Sequence, residues 1–412
     1  MYFDELSFKV KKTKCERYFF LFMMFFFTNF MAFDGYKSPS PSIFFFFSLV
    51  SLVYLFNDRR YLRGSVFAKS ILIVVVSMLF SVIPSVGIFG QQIHHAFFGA
   101  SLFIFPTLLF FLLKKWNIDE DTVYKYLILF TALFAFFEVV QQFTYPKFWF
   151  TGRISDGASG KFEERMGFLR FYLFGIDYAL LALMATFDRC LDKTKNFKIH
   201  CGFLLICCAA IYFFLARKNI YAALSCLSIG VIFAKGRAKL WVKMMVAAVF
   251  ILGVIYLSNS MADLNTQTSS ELSENREDFI RIMAADYFIN SMSDSPLYYL
   301  FGSGVPGGKN PLQALITDLI DKHWFFQDDC GFVGYFSRFG IFGLAAQLAT
   351  LFIIFRNYKK LDLGLILFAV LQIEICFFDY WGNNQRNLAA WGIYLYLAER
   401  NIQKHKFLQS KR

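Results

Sequence analysis

Charged residues are scarce in this sequence: Asp, Glu, Lys and Arg make up 17% of its 412 residues, whereas 57% are hydrophobic. A chain with so little charge has more apolar surface than a soluble core needs, which excludes an ordinary soluble protein. The eight cysteines show neither a disulfide framework nor the spacing of a zinc site. No internal repeat, low-complexity linker or nucleic-acid-binding module is recognisable, so the sequence predicts a single integral membrane domain over residues 1–412.

The sequence is rich in long apolar runs, to which its 57 phenylalanines contribute. A helix needs about 20 apolar residues to cross a hydrocarbon core of roughly 30 Å, and backbone polar groups in lipid must be satisfied within the helix. The sequence therefore predicts an all-α, polytopic membrane protein with about twelve transmembrane helices. We expect them near residues 18–33, 43–56, 66–89, 96–113, 123–143, 168–187, 199–216, 219–234, 240–258, 330–355, 362–378 and 387–398.

Lysine and arginine are distributed unevenly between the two sides that these helices define. Cytoplasmic loops carry an excess of these residues, and placing the N-terminus in the cytoplasm puts 28 of the 42 there. Both termini are then cytoplasmic. The net charge of +12 follows mostly from this bias and indicates contact with anionic membrane lipid, with no nucleic-acid partner expected. The seven basic segments are residues 9–17, 59–69, 114–125, 189–198, 235–243, 356–360 and 400–412.

Two outward segments are longer than the other connections, residues 144–167 and 259–329. The second contains REDFIRIMAADYFIN, in which Phe279, Met283 and Tyr287 recur at helical spacing, and LQALITDLIDKHWFF, which has an apolar face. We expect a large outward-facing loop containing short amphipathic helices, the second of which lies in the membrane interface.

Arg217 and Lys218 stand between two apolar runs, near the predicted outward tip of a helical hairpin. One interpretation is that both side chains extend to the interface. The other is capture of an anion, because the Arg217 guanidinium offers a fork of donors to phosphate oxygens and Lys218 adds a point charge.

Other cations of the outward segments give weaker signals. Arg276 opens a predicted loop helix and has no acidic residue three or four positions away, so it is either a solvated cation or an anion ligand. Arg165 belongs to a mixed-charge loop, and we include it as a candidate for substrate binding. For Asp177 and Glu138, which lie within predicted spans, an interior hydrogen-bonding role is expected.

The stretch GSGVPGGK lacks the spacing of a phosphate-binding Walker loop. Gly302 and Gly304 are therefore interpreted as turn residues that allow a substrate to approach the backbone.

Asp328 and Asp329 meet the start of a predicted spanning helix. Helix capping explains one of them. The other, or either, is a candidate general base that accepts a proton from a hydroxyl. A paired-carboxylate metal site is an alternative, although two adjacent Asp are weak evidence for one.

Four stretches, in order over roughly residues 160–345, resemble the O-antigen polymerase and ligase family of bacterial envelope glycosyltransferases. They are RMGFLRFYLFGIDYALLALMATF, FLARKNIYAAL, ENREDFIRIMAADYFINSMSDSPLYYLFGSGVPG and DDCGFVGYFSRFGIFGL. Each motif alone is weak, and the match depends on their order and their common side of the membrane.

The resemblance implies a GT-C-like fold in the inner membrane and a donor that is an undecaprenyl-pyrophosphate-linked oligosaccharide. By this resemblance, Arg217 and Arg276 would contact the pyrophosphate, and the junction at Asp329 would lie near the site of sugar transfer. The reaction would need neither a metal nor a cofactor, and a chain-length regulator would be a further partner. Ligases of the family are expected to carry His at that junction, ten positions before a Gly. Here Asp329 and Cys330 stand eleven and ten positions before Gly340, and His323, a candidate for substrate binding, is out of register. The resemblance therefore favours a polymerase over a ligase.

The residues themselves favour the same chemistry. Arg217, Lys218 and Arg276 can stabilise the charge on a leaving oxygen, and Asp329 or Asp328 can activate an acceptor hydroxyl. The alternatives are an O-antigen ligase and a lipid-linked oligosaccharide flippase or secondary transporter. Transporters tend to have interrupted helices and paired repeats, whereas this chain has eight prolines and carries its distinctive polar residues in outward loops.

Overall fold

The structure, a computed structural model, describes residues 2–28, 40–57, 59–144, 164–165, 168–169, 175–191, 197–234, 276–377 and 379–410. In these residues the regular structure is helical, apart from a small antiparallel hairpin in which Glu164–Arg165 (β1) pairs with Phe168–Leu169 (β2). The predicted all-α class is confirmed.

Fifteen α-helices are formed by the described residues, and a π-helical turn, Tyr287–Ser291, follows the tenth. In chain order they are α1 (Tyr2–Phe27), α2 (Pro41–Asn57), α3 (Ala68–Phe80), α4 (Val82–Gly87), α5 (Ile93–Trp116), α6 (Glu120–Thr144), α7 (Ile176–Leu191), α8 (Phe197–Phe213), α9 (Arg217–Phe233), α10 (Arg276–Asp286), α11 (Pro296–Phe301), α12 (Pro311–His323), α13 (Gly331–Arg356), α14 (Leu363–Ile375) and α15 (Gln385–Ser410).

Four helical segments of the described chain are long and apolar enough to cross a membrane: Ala68–Gly87, Ile93–Trp116, Glu120–Thr144 and Gln327–Arg356. Four shorter apolar helices accompany them, Pro41–Asn57, Phe197–Phe213, Lys218–Phe233 and Leu363–Ile375. This apolar helical character indicates a membrane-embedded protein. The predicted count of about twelve spans is not confirmed, and the predicted span 240–258 lies outside the described residues.

Several helix boundaries differ from those predicted by hydropathy. Helix α1 begins at Tyr2 rather than near residue 18, and α15 continues to Ser410 rather than ending near 398. Both extensions are polar segments whose Lys, Glu and Gln are good helix formers, so the helix continues where the apolar run does not. Helix α7 begins only at Ile176, because the expected span from residue 168 starts with the β2 strand.

The core lies around α5, α7 and α15. Helix α15 is buried almost without interruption from Asn387 to Ile402, as expected of a helix enclosed on all sides. It packs on α5 and α7, while α2 and α3 cover α5 and the helices α6, α8 and α14 cover α7.

A second hydrophobic cluster joins α10, α11 and α12 to the start of α13; we call these three helices the α10–α12 module. Two helices predicted in segment 259–329 are present as α10 and α12, and Leu312, Ile316 and Leu319 of α12 are buried as the pattern predicted. The face predicted for α10 is wrong, because Met283 is 44% exposed whereas Ala284 and, just after the helix, Phe288 are buried. Burial raises the pKa of Tyr298. Its hydroxyl therefore stays protonated and donates to the Phe288 carbonyl inside the module.

Ion pairs connect the helices at one end of the bundle, which we call the Glu399 end. Glu399 is buried, pairs with Lys114 at 2.9 Å and accepts hydrogen bonds from the backbone of Val66 and Phe67. Three further cations pair nearby: Arg17 with Asp119, Arg189 with Asp121 and Arg400 with Glu120. Lys114 and these three cations come from four of the basic segments predicted to be cytoplasmic, so the structure brings those segments to one end.

Candidate functional site

Asp328 and Asp329 lie in a 3-10 turn, Gln327–Cys330, immediately before α13. Asp328 forms an ion pair with Arg338 at 2.7 Å. Arg338 is buried and also donates to the Asn383 carbonyl at 2.6 Å and to Gln327 Oε1 at 3.3 Å. Asp328 is thereby fixed as the counter-ion of a buried guanidinium.

Asp329 has different surroundings. Its side chain is exposed and makes no hydrogen bond or ion pair with any residue that the structure describes. It interacts electrostatically with Arg281, Asp328, Lys218 and Asp379. The expected helix cap is absent, because no side chain caps the first turn of α13. The Asp328 side chain is itself 59% exposed, so what separates the two carboxylates is the ion pair with Arg338, which only Asp328 makes.

The predicted hairpin carrying Arg217 and Lys218 is present, with α8 ending at Phe213 and α9 beginning at Arg217. Its turn is tight, and Leu215 has a positive φ of 55°. The backbone of Arg217 is described, whereas its side chain lies outside the described part of the chain.

Lys218 turns toward the protein and pairs with Asp379, with 2.8 Å between Nζ and Oδ2. The other oxygen of Asp379 accepts a hydrogen bond from Asn387 Nδ2 at 3.1 Å. Asp379 follows α14 and Asn387 lies in the first turn of α15, so three elements meet here. We call this region of the bundle the Asp379 end.

Asp177, in the first turn of α7, completes this cluster. It is 6% exposed and interacts electrostatically with Asp379, Lys218 and the side chain of Gln372 of α14. The expected interior position of Asp177 is confirmed, whereas its hydrogen-bonding role stays a prediction. Gln372 is 1% exposed, and its Oε1 has no partner among the described residues.

Gly302 and Gly304 lie in a buried segment that packs on an interruption of α13. The helix breaks at Gly340, where φ is 66° and ψ is −173°, and the carbonyls of Ser337 and Arg338 lose their helical partners. The backbone N–H groups of Ser303 and Gly304 donate to those carbonyls at 2.7 and 3.0 Å. A Cβ at Gly302 would lie 2.2 Å from the Arg338 carbonyl carbon, so the close approach that this glycine permits is to protein backbone. Contact of a substrate with either glycine stays a prediction.

The remaining candidates are distributed over three elements. Arg276 is the first residue of α10 and Arg165 lies in β1; for both, the side chain is outside the described part of the structure. His323 is the last residue of α12, is exposed, and its ring centroid lies 5.4 Å from that of Phe325. The roles assigned to these three residues stay predictions.

Sequence reasoning missed the polar run DYWGNNQRN, residues 379–387, which separates two apolar spans. This run supplies Asp379, Asn383 and Asn387 to the Asp379 end. Its density of Asn and Asp between apolar runs was the available signal. Among the described residues, no three His, Cys, Asp or Glu side chains come together as a metal site would require.

A scan against models of protein families finds no match for this chain, and a search of curated proteins finds none either.

Proposed function

We propose that the protein is a glycosyltransferase that polymerises undecaprenyl-pyrophosphate-linked oligosaccharide repeat units at the outer face of a bacterial inner membrane. The product would be an O-antigen or a capsular polysaccharide. The observation that supports this proposal best is that residues 379–387 contact both the hairpin tip and the Asp329 turn: Asp379 pairs with Lys218 at 2.8 Å, and Asn383 donates to the carbonyls of Asp328 and Gly331. Cations for a pyrophosphate and an accessible carboxylate for a hydroxyl are the two requirements of this reaction.

The chemical step transfers a sugar from the lipid pyrophosphate to a hydroxyl of the acceptor glycan. The acceptor oxygen forms a bond to the anomeric carbon while the bond from that carbon to the pyrophosphate oxygen breaks, and the leaving pyrophosphate keeps the electron pair. Asp329 accepts the hydroxyl proton, and Arg217 and Arg276 stabilise the charge on the leaving oxygen. Asp328 takes no part, because Arg338 already holds it.

The proposed orientation places the Glu399 end in the cytoplasm and the Asp379 end outside. Four of the basic segments meet at the Glu399 end, which agrees with the excess of Lys and Arg in cytoplasmic loops. Both termini would then be cytoplasmic, and the α10–α12 module would lie in the outward-facing segment 259–329.

Glycan analysis of a deletion strain tests the function and the residue roles together. We expect the strain to carry single repeat units, wild-type protein to restore the ladder, and Arg217→Ala, Arg276→Ala and Asp329→Asn to leave single units. Asp321→Asn, an exposed carboxylate of α12, is the control and should restore the ladder. A ladder of normal length in the three variants, at normal protein levels, would overturn the proposal. Loss of all capped core in the deletion strain would instead identify a ligase.

One structural observation favours a second candidate, a flippase or secondary transporter of the same lipid-linked oligosaccharide. Helix α13 is interrupted at Gly340, and the buried segment 302–305 packs on the interruption, as happens in the discontinuous helices of transporters. A deletion strain that accumulates the lipid-linked unit on the cytoplasmic leaflet would support this candidate and exclude the polymerase.

A further inference from the structure

We propose that Lys218 is a positioning residue: it is the internal counter-ion of Asp379, and it does not bind the pyrophosphate of the donor. The two adjacent cations of the hairpin tip then have separate roles, and donor binding is left to Arg217. This inference rests on the proposed function where it concerns catalysis, whereas the ion pair itself does not.

Both oxygens of Asp379 are already held, Oδ2 by Lys218 at 2.8 Å and Oδ1 by Asn387 at 3.1 Å. Lys218 is 35% exposed, and its ammonium is held against the Asp379 carboxylate. A donor phosphate that drew the ammonium away would leave Asp379 with one of its two anchors.

The charges of the cluster give Lys218 a second task. Asp177 is 6% exposed and interacts electrostatically with Asp379, which disfavours its ionised form, and with Lys218, which favours it. Removing the cation leaves Asp379 without its ion-pair partner and leaves Asp177 with a neighbour of like charge, which is unfavourable. Removing Asp177 instead leaves the Lys218–Asp379 pair balanced.

The position of Asp379 gives the cluster a link to the reaction. Asp379 begins the run 379–387, in which Asn383 Nδ2 donates to the carbonyls of Asp328 and Gly331 at 3.1 and 2.8 Å. These two contacts lie on either side of Asp329 along the chain, so the run that Lys218 anchors supports the turn that carries the proposed proton acceptor. If Lys218 were lost, Asp379 would be released from one of its two anchors, and the chemical step would slow while donor binding through Arg217 continued.

Thermal unfolding of purified variants in detergent micelles tests the counter-ion role without reference to activity. We expect Lys218→Met to lower Tm by about 3 °C or more. Adding Asp177→Asn to Lys218→Met should recover part of that loss, because one of the two uncompensated carboxylates is removed. The matched control is Lys322→Met, which breaks an exposed pair with Asp318 and should leave Tm nearly unchanged. A Lys218→Met variant as stable as wild type, or a double variant less stable than Lys218→Met, would overturn the proposal.

Steady-state polymerisation in proteoliposomes, with a purified lipid-linked repeat unit as substrate, tests the positioning role. We expect Lys218→Met to lower kcat by about tenfold or more with KM for the donor within about twofold of wild type, and Lys218→Arg to recover most of kcat. A purely structural role would change neither parameter once the amount of folded protein is matched. A raised KM with kcat retained would identify Lys218 as a donor ligand and would reject the inference, as would unchanged kinetics. If wild-type protein forms no polymer, the proposed function fails, and the unfolding experiment alone decides the ion-pair inference.

Discussion

Asp328 and Asp329 are chemically identical neighbours, and the 3-10 turn gives them different surroundings. Successive side chains of such a turn point about 120° apart, so they meet different parts of the protein. Asp328 pairs with the buried Arg338, whereas Asp329 makes no ion pair with a described residue and interacts electrostatically with Arg281 and Lys218. The sequence predicts either residue as a general base. The turn favours Asp329, because Arg338 already binds Asp328.

The backbone at Gly340 gives a prediction at the same scale. Its φ of 66° and ψ of −173° belong to a region that only glycine adopts easily, and an added Cβ would lie 2.2 Å from the carbonyl oxygen of Leu300. We expect Gly340→Ala to cost about 3 kcal/mol or more in the free energy of unfolding, since the steric contact adds to about 1–3 kcal/mol of backbone strain.

Gly64→Ala is the matched control for that measurement. Gly64 also has a positive φ, 70°, but a Cβ there would have no neighbour within 4 Å. Comparing the two variants by denaturant unfolding in micelles separates the contact with Leu300 from backbone strain. Equal losses of stability would contradict the close packing of α11 on the interruption of α13.

At the scale of helices, caps and ion pairs fix where elements begin. Asp119 precedes α6, and its carboxylate accepts hydrogen bonds from the backbone N–H and the hydroxyl of Thr122 and pairs with Arg17 at 2.7 Å. Burial alone would raise the pKa of Asp119, but the hydrogen bonds from Thr122 and the charge of Arg17 outweigh it and lower the pKa below its ordinary value of 3.8. The ionised form is therefore the one that the folded protein stabilises.

This direction predicts how the stability depends on pH. The folded-state pKa of Asp119 is depressed, so its contribution is fully present above the unfolded value of 3.8 and is lost as the pH falls through the folded value. The difference in Tm between wild type and Asp119→Asn should be largest near neutral pH and should shrink once the pH drops below the unfolded value. Thermal unfolding of both proteins over this pH range tests the prediction, and a difference that does not change with pH would contradict it.

Hydropathy located helices better than it located their ends. The amphipathic pattern of LQALITDLIDKH predicted α12, and the structure adds the reason for its start, because Asn310 Oδ1 accepts a hydrogen bond from the Gln313 N–H at 3.1 Å. The short helix α11 and the extensions of α1 and α15 were not predicted. Their formation depends on packing and on helix propensity, and neither produces an apolar run.

For the whole molecule, the proposed orientation predicts which end is accessible from outside the cell. Asp321 on α12 and Asp121 at the start of α6 are both exposed carboxylates, and they belong to the Asp379 end and the Glu399 end respectively. In a variant without native cysteine, we expect a membrane-impermeant maleimide to label Asp321→Cys in intact spheroplasts. Asp121→Cys should be labelled only after lysis. Labelling of Asp121→Cys from outside would reverse the orientation and place the candidate site in the cytoplasm.

The sequence by itself determined that the protein is helical and apolar enough for a membrane, since composition and the length of apolar runs depend on no long-range contact. It also identified Lys218 and the two carboxylates of the turn as unusual. Only the tertiary structure decided their partners, because Lys218 and Asp379 are separated by 161 residues and Asp328 reaches Arg338 only through the 3-10 turn. Ion pairs and buried hydrogen bonds form between side chains that folding brings together, and nothing in the local sequence of FLARKN indicates that Lys218 points toward a carboxylate that follows α14.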